Sequence, residues 1–229
     1  MISSKDCSEF GILFDLDGVL LNSLANMKKA WEALPQVLTR GVPFSGFQES
    51  IGLPFPMAMK SLGIFDKSAE IEVLFKMESS RAIDSLELFA DIPAQLDMLS
   101  QRGFRLGLYT SKDYGRTQEI LAKFCLKFDF VMCPNDSLRG KPYPDQIFHA
   151  MRIWELGLDH LCYFGDTLFD YEAAKSAGTR YFHCQWGYGA APPELNSEFI
   201  VPTPRNITAY IGEWSDSVFL SSGPARARG

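Results

Sequence analysis

The apolar run Phe10 to Phe14 ends in Asp15-Leu16-Asp17-Gly18-Val19. A run of that length closing on two acids and a glycine reads as a buried strand delivering carboxylates into a turn, where sites lie in open α/β sheets. Alternate residues of an extended segment point the same way, so Asp15 and Asp17 face one space. Their repulsion makes that costly unless a cation is present, and the pair therefore predicts a metal. Taken alone, Asp-x-Asp is also what an ordinary acidic turn after a strand looks like.

Three further signals follow in order. Leu106-Gly107-Leu108-Tyr109-Thr110-Ser111 is a second apolar run that ends in hydroxyls, Lys141-Pro142 follows a turn, and Gly165-Asp166-Thr167-Leu168-Phe169-Asp170 closes a third run. Each has an everyday explanation: a strand-ending threonine, a solvated loop lysine, an acid in the first turn of a helix. As an ordered set spanning nearly the whole chain they resemble the four motifs of the haloacid dehalogenase superfamily. The chain looks most like the phosphoglycolate phosphatase and β-phosphoglucomutase branch, echoed at Asp15 to Leu20 and at Lys141 to Asp145.

The resemblance implies a Mg²⁺-dependent phosphatase acting on a small phosphorylated metabolite such as phosphoglycolate or a sugar phosphate. In it Asp15 attacks phosphorus and becomes an aspartyl phosphate, which water then hydrolyses. Asp17 protonates the leaving alkoxide and later activates the water. That second acid favours phosphoryl transfer over carbon–halogen cleavage. Thr110, helped by the main-chain N–H of Ser111, binds a phosphate oxygen, and Lys141 neutralises phosphate and aspartyl charge. Asp15, Asp166, Asp170 and the main-chain carbonyl of Asp17 supply the hard oxygen ligands that Mg²⁺ prefers.

Val19, Asn22 and Ser111 depart from residues more usual in phosphoglycolate phosphatases, which loosens the link to one substrate without removing a reacting group. A β-phosphoglucomutase-like mutase shares every core motif, although Gly165 before Asp166, where that branch often has Glu, leans toward hydrolysis. A non-enzymatic phospho-acceptor domain also gathers acids, a threonine and a lysine around Mg²⁺, but is about half this length and has no helical insert.

The elements that must position these residues can be read from periodicity. From Ile92 onward strands and helices alternate: a helix from Pro93 stopped by Gly103, the strand Phe104 to Tyr109, a helix from Tyr114 to Phe124, and the strand Phe128 to Cys133. A helix opening at Pro144-Asp145, the strand Leu161 to Phe164, a helix over 168–177 and the strand Arg180 to Cys184 follow. Short connections between alternating elements imply an α/β fold with a Rossmann-like parallel sheet core.

Between the first strand and this series, residues 22–87 carry apolar positions at helical spacing: Leu24, Met27, Trp31 and Leu34, then Ile71, Leu74 and Phe75. This predicts a helical insert, with Gly41 to Pro43 and Leu53 to Pro56 as loops or kinks. The resemblance makes it a small cap that opens and closes over the acidic turn, so the expected division is 1–21 and 88–229 as core and 22–87 as cap. Its cations Arg40, Lys60, Lys76 and Arg81 are left unassigned. Beyond Gly187 the chain is rich in proline and glycine, and Ser221 to Gly229 reads as a frayed tail.

With 46% apolar and 22% charged residues among 229, the chain can build one sizeable core and a smaller unit. A net charge of −6 argues against nucleic acid as a partner. No apolar window approaches the roughly 18 residues of a membrane span, and Met1 to Glu9 is too polar for a signal peptide. Five unpaired-looking cysteines and three scattered histidines suggest neither a disulfide framework nor a zinc site. The expectation is a cytoplasmic enzyme, monomeric or homodimeric.

Overall fold

The computed structural model describes residues 7–135 and 137–222. Its strands are β1 (Gly11–Phe14), β2 (Leu21–Asn22), β3 (Glu87–Leu88), β4 (Arg105–Tyr109), β5 (Phe130–Met132), β6 (Leu161–Gly165), β7 (Arg180–Cys184) and β8 (Ile200–Val201). Among the described residues, six of them form one sheet in the order β5-β4-β1-β6-β7-β8. Every neighbouring pair in it is parallel. β1 is central, and all four of its residues are buried. A strand covered on both faces needs apolar side chains on both, which explains why Phe10 to Phe14 is a continuous run rather than an alternating one.

The register sets the site. Phe14 lies opposite Leu108 of β4 and Phe164 of β6, so the residues that follow each strand, Asp15, Thr110 and Asp166, emerge at one edge. Helices α6 (Ile92–Gln101), α7 (Tyr114–Phe124), α8 (Asp145–Trp154) and α9 (Leu168–Ala177) connect the strands. Each falls where periodicity placed it. β4 and β5 are shorter than the spans expected for them, beginning at Arg105 and Phe130.

The stretch between β2 and β3 is helical: α1 (Leu24–Glu32), α2 (Gln36–Thr39), α3 (Phe44–Gln48), α4 (Phe55–Ser61) and α5 (Ser68–Arg81). These helices bury an apolar cluster of their own, with Met27, Trp31, Phe47, Met59, Ile71 and Phe75 among its members. β2 and β3 pair antiparallel, Leu21 opposite Leu88, so chain entry and exit lie side by side. The loop or kink expected at Leu53 to Pro56 is a break between α3 and α4 at Leu53 and Pro54, with Phe55 and Pro56 already in α4. Pro54 is the N-cap of α4 and Pro56 sits in its first turn, where the missing N–H costs nothing.

The largest departure is at the C-terminal end. A chain read as proline- and glycine-rich after Gly187 forms β8 and then α10 (Ile207–Ser222). Ile207, Ile211, Trp214 and Val218 of α10 are buried in the main core. Their spacing of four, three and four is helical, a periodic signal that the loop-like composition before it obscured. α10 also takes in Ser221 and Ser222, the first two residues of the expected tail; residues 223–229 of that expected tail lie outside the described part. No described helix is long and apolar enough to cross a membrane.

Candidate active site

Asp15, one residue beyond β1, is 3% exposed, and Lys141 is fully buried beside it. Lysine is almost never fully buried without a charged partner. Here Lys141 Nζ lies 2.7 Å from Asp15 Oδ1 and 2.7 Å from Asp170 Oδ1. Burial works to lower the Lys141 pKa, but the carboxylates of Asp15 and Asp170 outweigh it and hold the ammonium well above the usual lysine range. The cation that the paired acids demand is thus supplied in part by the chain itself.

Carboxylate oxygens of Asp15, Asp166 and Asp170 come within 4.8 Å of one another. They are not equivalent. Asp170 accepts from Tyr163 Oη at 2.6 Å, from the Thr167 hydroxyl at 2.7 Å and from the N–H groups of Thr167 and Asp166 at 2.9 and 3.2 Å. With Thr167 it forms a reciprocal capping box at the start of α9, so the sequence Asp166-Thr167-Leu168-Phe169-Asp170 is held by its own first turn. Burial works to raise the Asp170 pKa, yet Lys141 and these donors hold it below the ordinary carboxylate value.

Asp166 is the opposite case. Its Oδ2 accepts the Tyr188 N–H at 2.6 Å, while Oδ1 is buried with no hydrogen-bond partner. Burial, then the charges of Asp170 and Asp15, push its pKa well above the normal range. Burial likewise pushes Asp15 up to about 7 against the pull of Lys141. An orphaned buried carboxylate oxygen within reach of two further carboxylates is a hard-oxygen set that fits Mg²⁺.

Asp17 is oriented from two sides. Ser23 Oγ donates to its Oδ1 at 2.5 Å, and Lys112 Nζ lies 3.0 Å from its Oδ2. Thr110 is buried, and its hydroxyl oxygen accepts the Lys112 N–H at 3.2 Å, which leaves its proton able to point at a ligand. The Ser111 hydroxyl donates to Gly52 O at 2.6 Å. That group is engaged with the insert, so the main-chain N–H is what Ser111 can offer a phosphate.

These residues floor a cavity of about 90 Å³ roofed by the insert, with Asp15, Asp17, Thr110, Ser111 and Lys112 in its lining. Space for several waters is space for a small ligand. Of the insert's cations, Lys76 lines the cavity; Arg40 donates to Gly63 O, Arg81 pairs with Glu78 and Lys60 is exposed. Among the described residues, no histidine or cysteine joins the acidic cluster, and Cys125, Cys133, Cys162 and Cys184 are free thiols.

Sequence reasoning passed over Ser23, Lys112 and Tyr188. Tyr188 Oη accepts the N–H groups of Ser23 at 2.6 Å and Leu24 at 3.1 Å and donates to Leu21 O at 3.1 Å. One residue thus ties Asp166 to the base of the insert. The flanking Gly187 and Gly189 are the signal that could have found it: a Cβ at either would overlap Asp166, so backbone must approach the acid closely there.

An α/β sheet bearing this cluster at the end of its central strand matches a known class. The family described as haloacid dehalogenase-like hydrolase matches residues 12–184. The chain belongs to that family. It is 26% identical over 215 residues, 87% of this chain and 94% of the relative, to a phosphoglycolate phosphatase of Nitrosospira multiformis. It is 26% identical to an N-acetylmuramic acid 6-phosphate phosphatase of Pseudomonas putida, covering 77% of this chain and 83% of the relative. The crystal structure of a hydrolase from Pseudomonas syringae has the same fold, with a TM-score of 0.77 at 20% identity, covering 89% of this chain and 98% of that one.

Proposed function

We propose that this phosphoric monoester hydrolase works through an aspartyl phosphate formed on Asp15 and depends on Mg²⁺. The observation that carries the reading is the position of Asp15: a carboxylate held by a buried lysine at a small cavity that Asp17 also lines. An ionised carboxylate needs only positioning and a neutralised phosphate to attack phosphorus. Lys141 fixes one Asp15 oxygen, which leaves the other to form the new O–P bond as the ester O–P bond breaks. The leaving alkoxide takes a proton from Asp17, worth roughly 10²- to 10⁴-fold in rate. Asp17 then removes a proton from the water that cleaves the aspartyl phosphate, returning Asp15 and releasing inorganic phosphate. The Thr110 hydroxyl and the Ser111 N–H receive the charge spread over the phosphoryl oxygens.

Asp166, Asp15, Asp170 and the Asp17 carbonyl are the groups that would hold the ion. Bound Mg²⁺ would neutralise negative charge on the phosphoryl oxygens and on the three acids. The substrate is a small monoester of the phosphoglycolate or sugar-phosphate kind, as the resemblance suggests and the names of the relatives support.

Purified protein tested against a panel of phosphorylated metabolites, with and without Mg²⁺, should release inorganic phosphate. Asp15→Asn should remain folded by circular dichroism and release none. Appreciable turnover by a clean Asp15→Asn preparation would sink the aspartyl-phosphate mechanism.

A further inference from the structure

The roof of the cavity differs in character from its floor. Phe47, Phe55 and Phe75 of the insert line it together with Met27 and Ile51. The three rings form one cluster, with centroids 6.2 Å apart for Phe47 and Phe55, 5.3 Å for Phe47 and Phe75, and 5.4 Å for Phe55 and Phe75. An apolar wall facing a site whose chemistry is polar is what a recognition surface for a carbon skeleton looks like.

The charged residues of the same cavity point the same way. Among the described residues three cations line it, and each is already committed. Lys112 pairs with Asp17 at 3.0 Å. Lys76 pairs with Glu72 at 2.8 Å and lies 3.6 Å from Asp113. Arg116 is buried, pairs with Glu119 and donates to Ser79 O at 2.8 Å. A substrate carboxylate placed under the roof would have to break one of these pairs, and it would face Glu72 and Asp113 besides. An apolar group needs no partner and gains by leaving water.

We infer that the leaving group of the preferred substrate is uncharged and presents an aliphatic or aromatic face to the Phe47–Phe55–Phe75 wall. The inference rests on the phosphatase reading and narrows its substrate: of the two kinds named there, a sugar phosphate, whose ring offers an uncharged face, suits this roof, and a carboxylate-bearing leaving group such as glycolate does not.

The test separates the two claims. Turnover of methyl, butyl and hexyl phosphate, whose alkoxide leaving groups are chemically alike, reads the wall without a change in leaving-group acidity. The expected kcat/KM rises by up to about fourfold per methylene, the value of roughly 0.8 kcal/mol per buried CH₂, until the small cavity is filled. In Phe55→Ala the rise should flatten. Binding of the matching alkylphosphonates, which cannot be hydrolysed, is measured by calorimetry in the presence of Mg²⁺ and reads the same surface without chemistry. Propylphosphonate should bind more tightly than phosphonoacetate, which puts a carboxylate under the roof. Affinity that is flat along the alkyl series, or tighter for phosphonoacetate, overturns the inference whether or not esters are hydrolysed. A series in which phosphonates bind as expected but no ester releases phosphate leaves the apolar subsite standing and removes the phosphatase reading instead.

Discussion

Lys112 Nζ lies 3.0 Å from Asp17 Oδ2, and each side chain is only 11% exposed. A partly shielded charge pair is screened far less than one on the surface. With Ser23 on the other oxygen, Lys112 fixes where the Asp17 carboxyl points. Proton transfer to a leaving group demands such positioning, and small displacements of a reacting group are expensive in rate.

Lys112→Met should therefore lower kcat for alkyl phosphates by about tenfold, while p-nitrophenyl phosphate, whose leaving group needs little acid help, loses less. Lys112→Arg should recover part of the loss. Steady-state kinetics on the two esters checks this; equal losses on both would mean that Lys112 acts on phosphate binding rather than through Asp17.

Asp17→Asn should slow breakdown of the phosphoenzyme more than its formation from p-nitrophenyl phosphate, so acid-quenched protein should carry phosphate in near-stoichiometric amount. The wild type should yield free phosphate from its best substrate. Phosphorus NMR showing an isomeric sugar phosphate and little free phosphate would promote a mutase over the hydrolase.

Removal of metal should abolish activity, and Mg²⁺ should restore it. Ca²⁺, with its higher coordination number and looser geometry, should inhibit. A ligand present at about a hundred times its dissociation constant adds roughly 2.7 kcal/mol to stability. For a chain of this size that raises the melting temperature by roughly 5 to 10 °C. Asp166→Asn should lose that shift, as differential scanning fluorimetry with and without Mg²⁺ can show.

Lys141→Met should destabilise the metal-free protein by roughly 3–5 kcal/mol, the usual consequence of stripping the partner from buried charges. Asp15 and Asp170 would keep their mutual repulsion and lose their common cation. Adding Asp15→Asn to Lys141→Met should recover part of the stability by removing one unpaired carboxylate. Urea unfolding of the wild type, Lys141→Met and the double variant measures the recovery.

How much of this the sequence disclosed depended on whether a signal was local. The strand ends carrying Asp15, Thr110 and Asp166 are short apolar runs stopped by polar residues, and parallel pairing at a common register brings such ends together. The helix opening at Thr167 was legible because its cap lies within four residues of Asp170. Lys112 stood in plain view after Thr110 and Ser111, but nothing local says that it reaches Asp17, 95 positions earlier. Tyr188 was hidden for the same reason: its partners Asp166 and Ser23 are brought to it only by the fold. α10 was missed through composition. The prolines and glycines ahead of it drew attention from four apolar residues at helical spacing.

The two-residue ladder of β2 and β3 has a consequence for how such a chain can diversify. Leu21 and Leu88 are antiparallel partners, and paired residues of this kind have α-carbons only about 5 Å apart. A segment whose two ends are clamped side by side in a small ladder of their own can be exchanged for another of different length without moving β1 or β4. The roof over Asp15 is in that sense a replaceable part, free to vary with whatever molecule has to be gripped while the strand ends below it stay as they are.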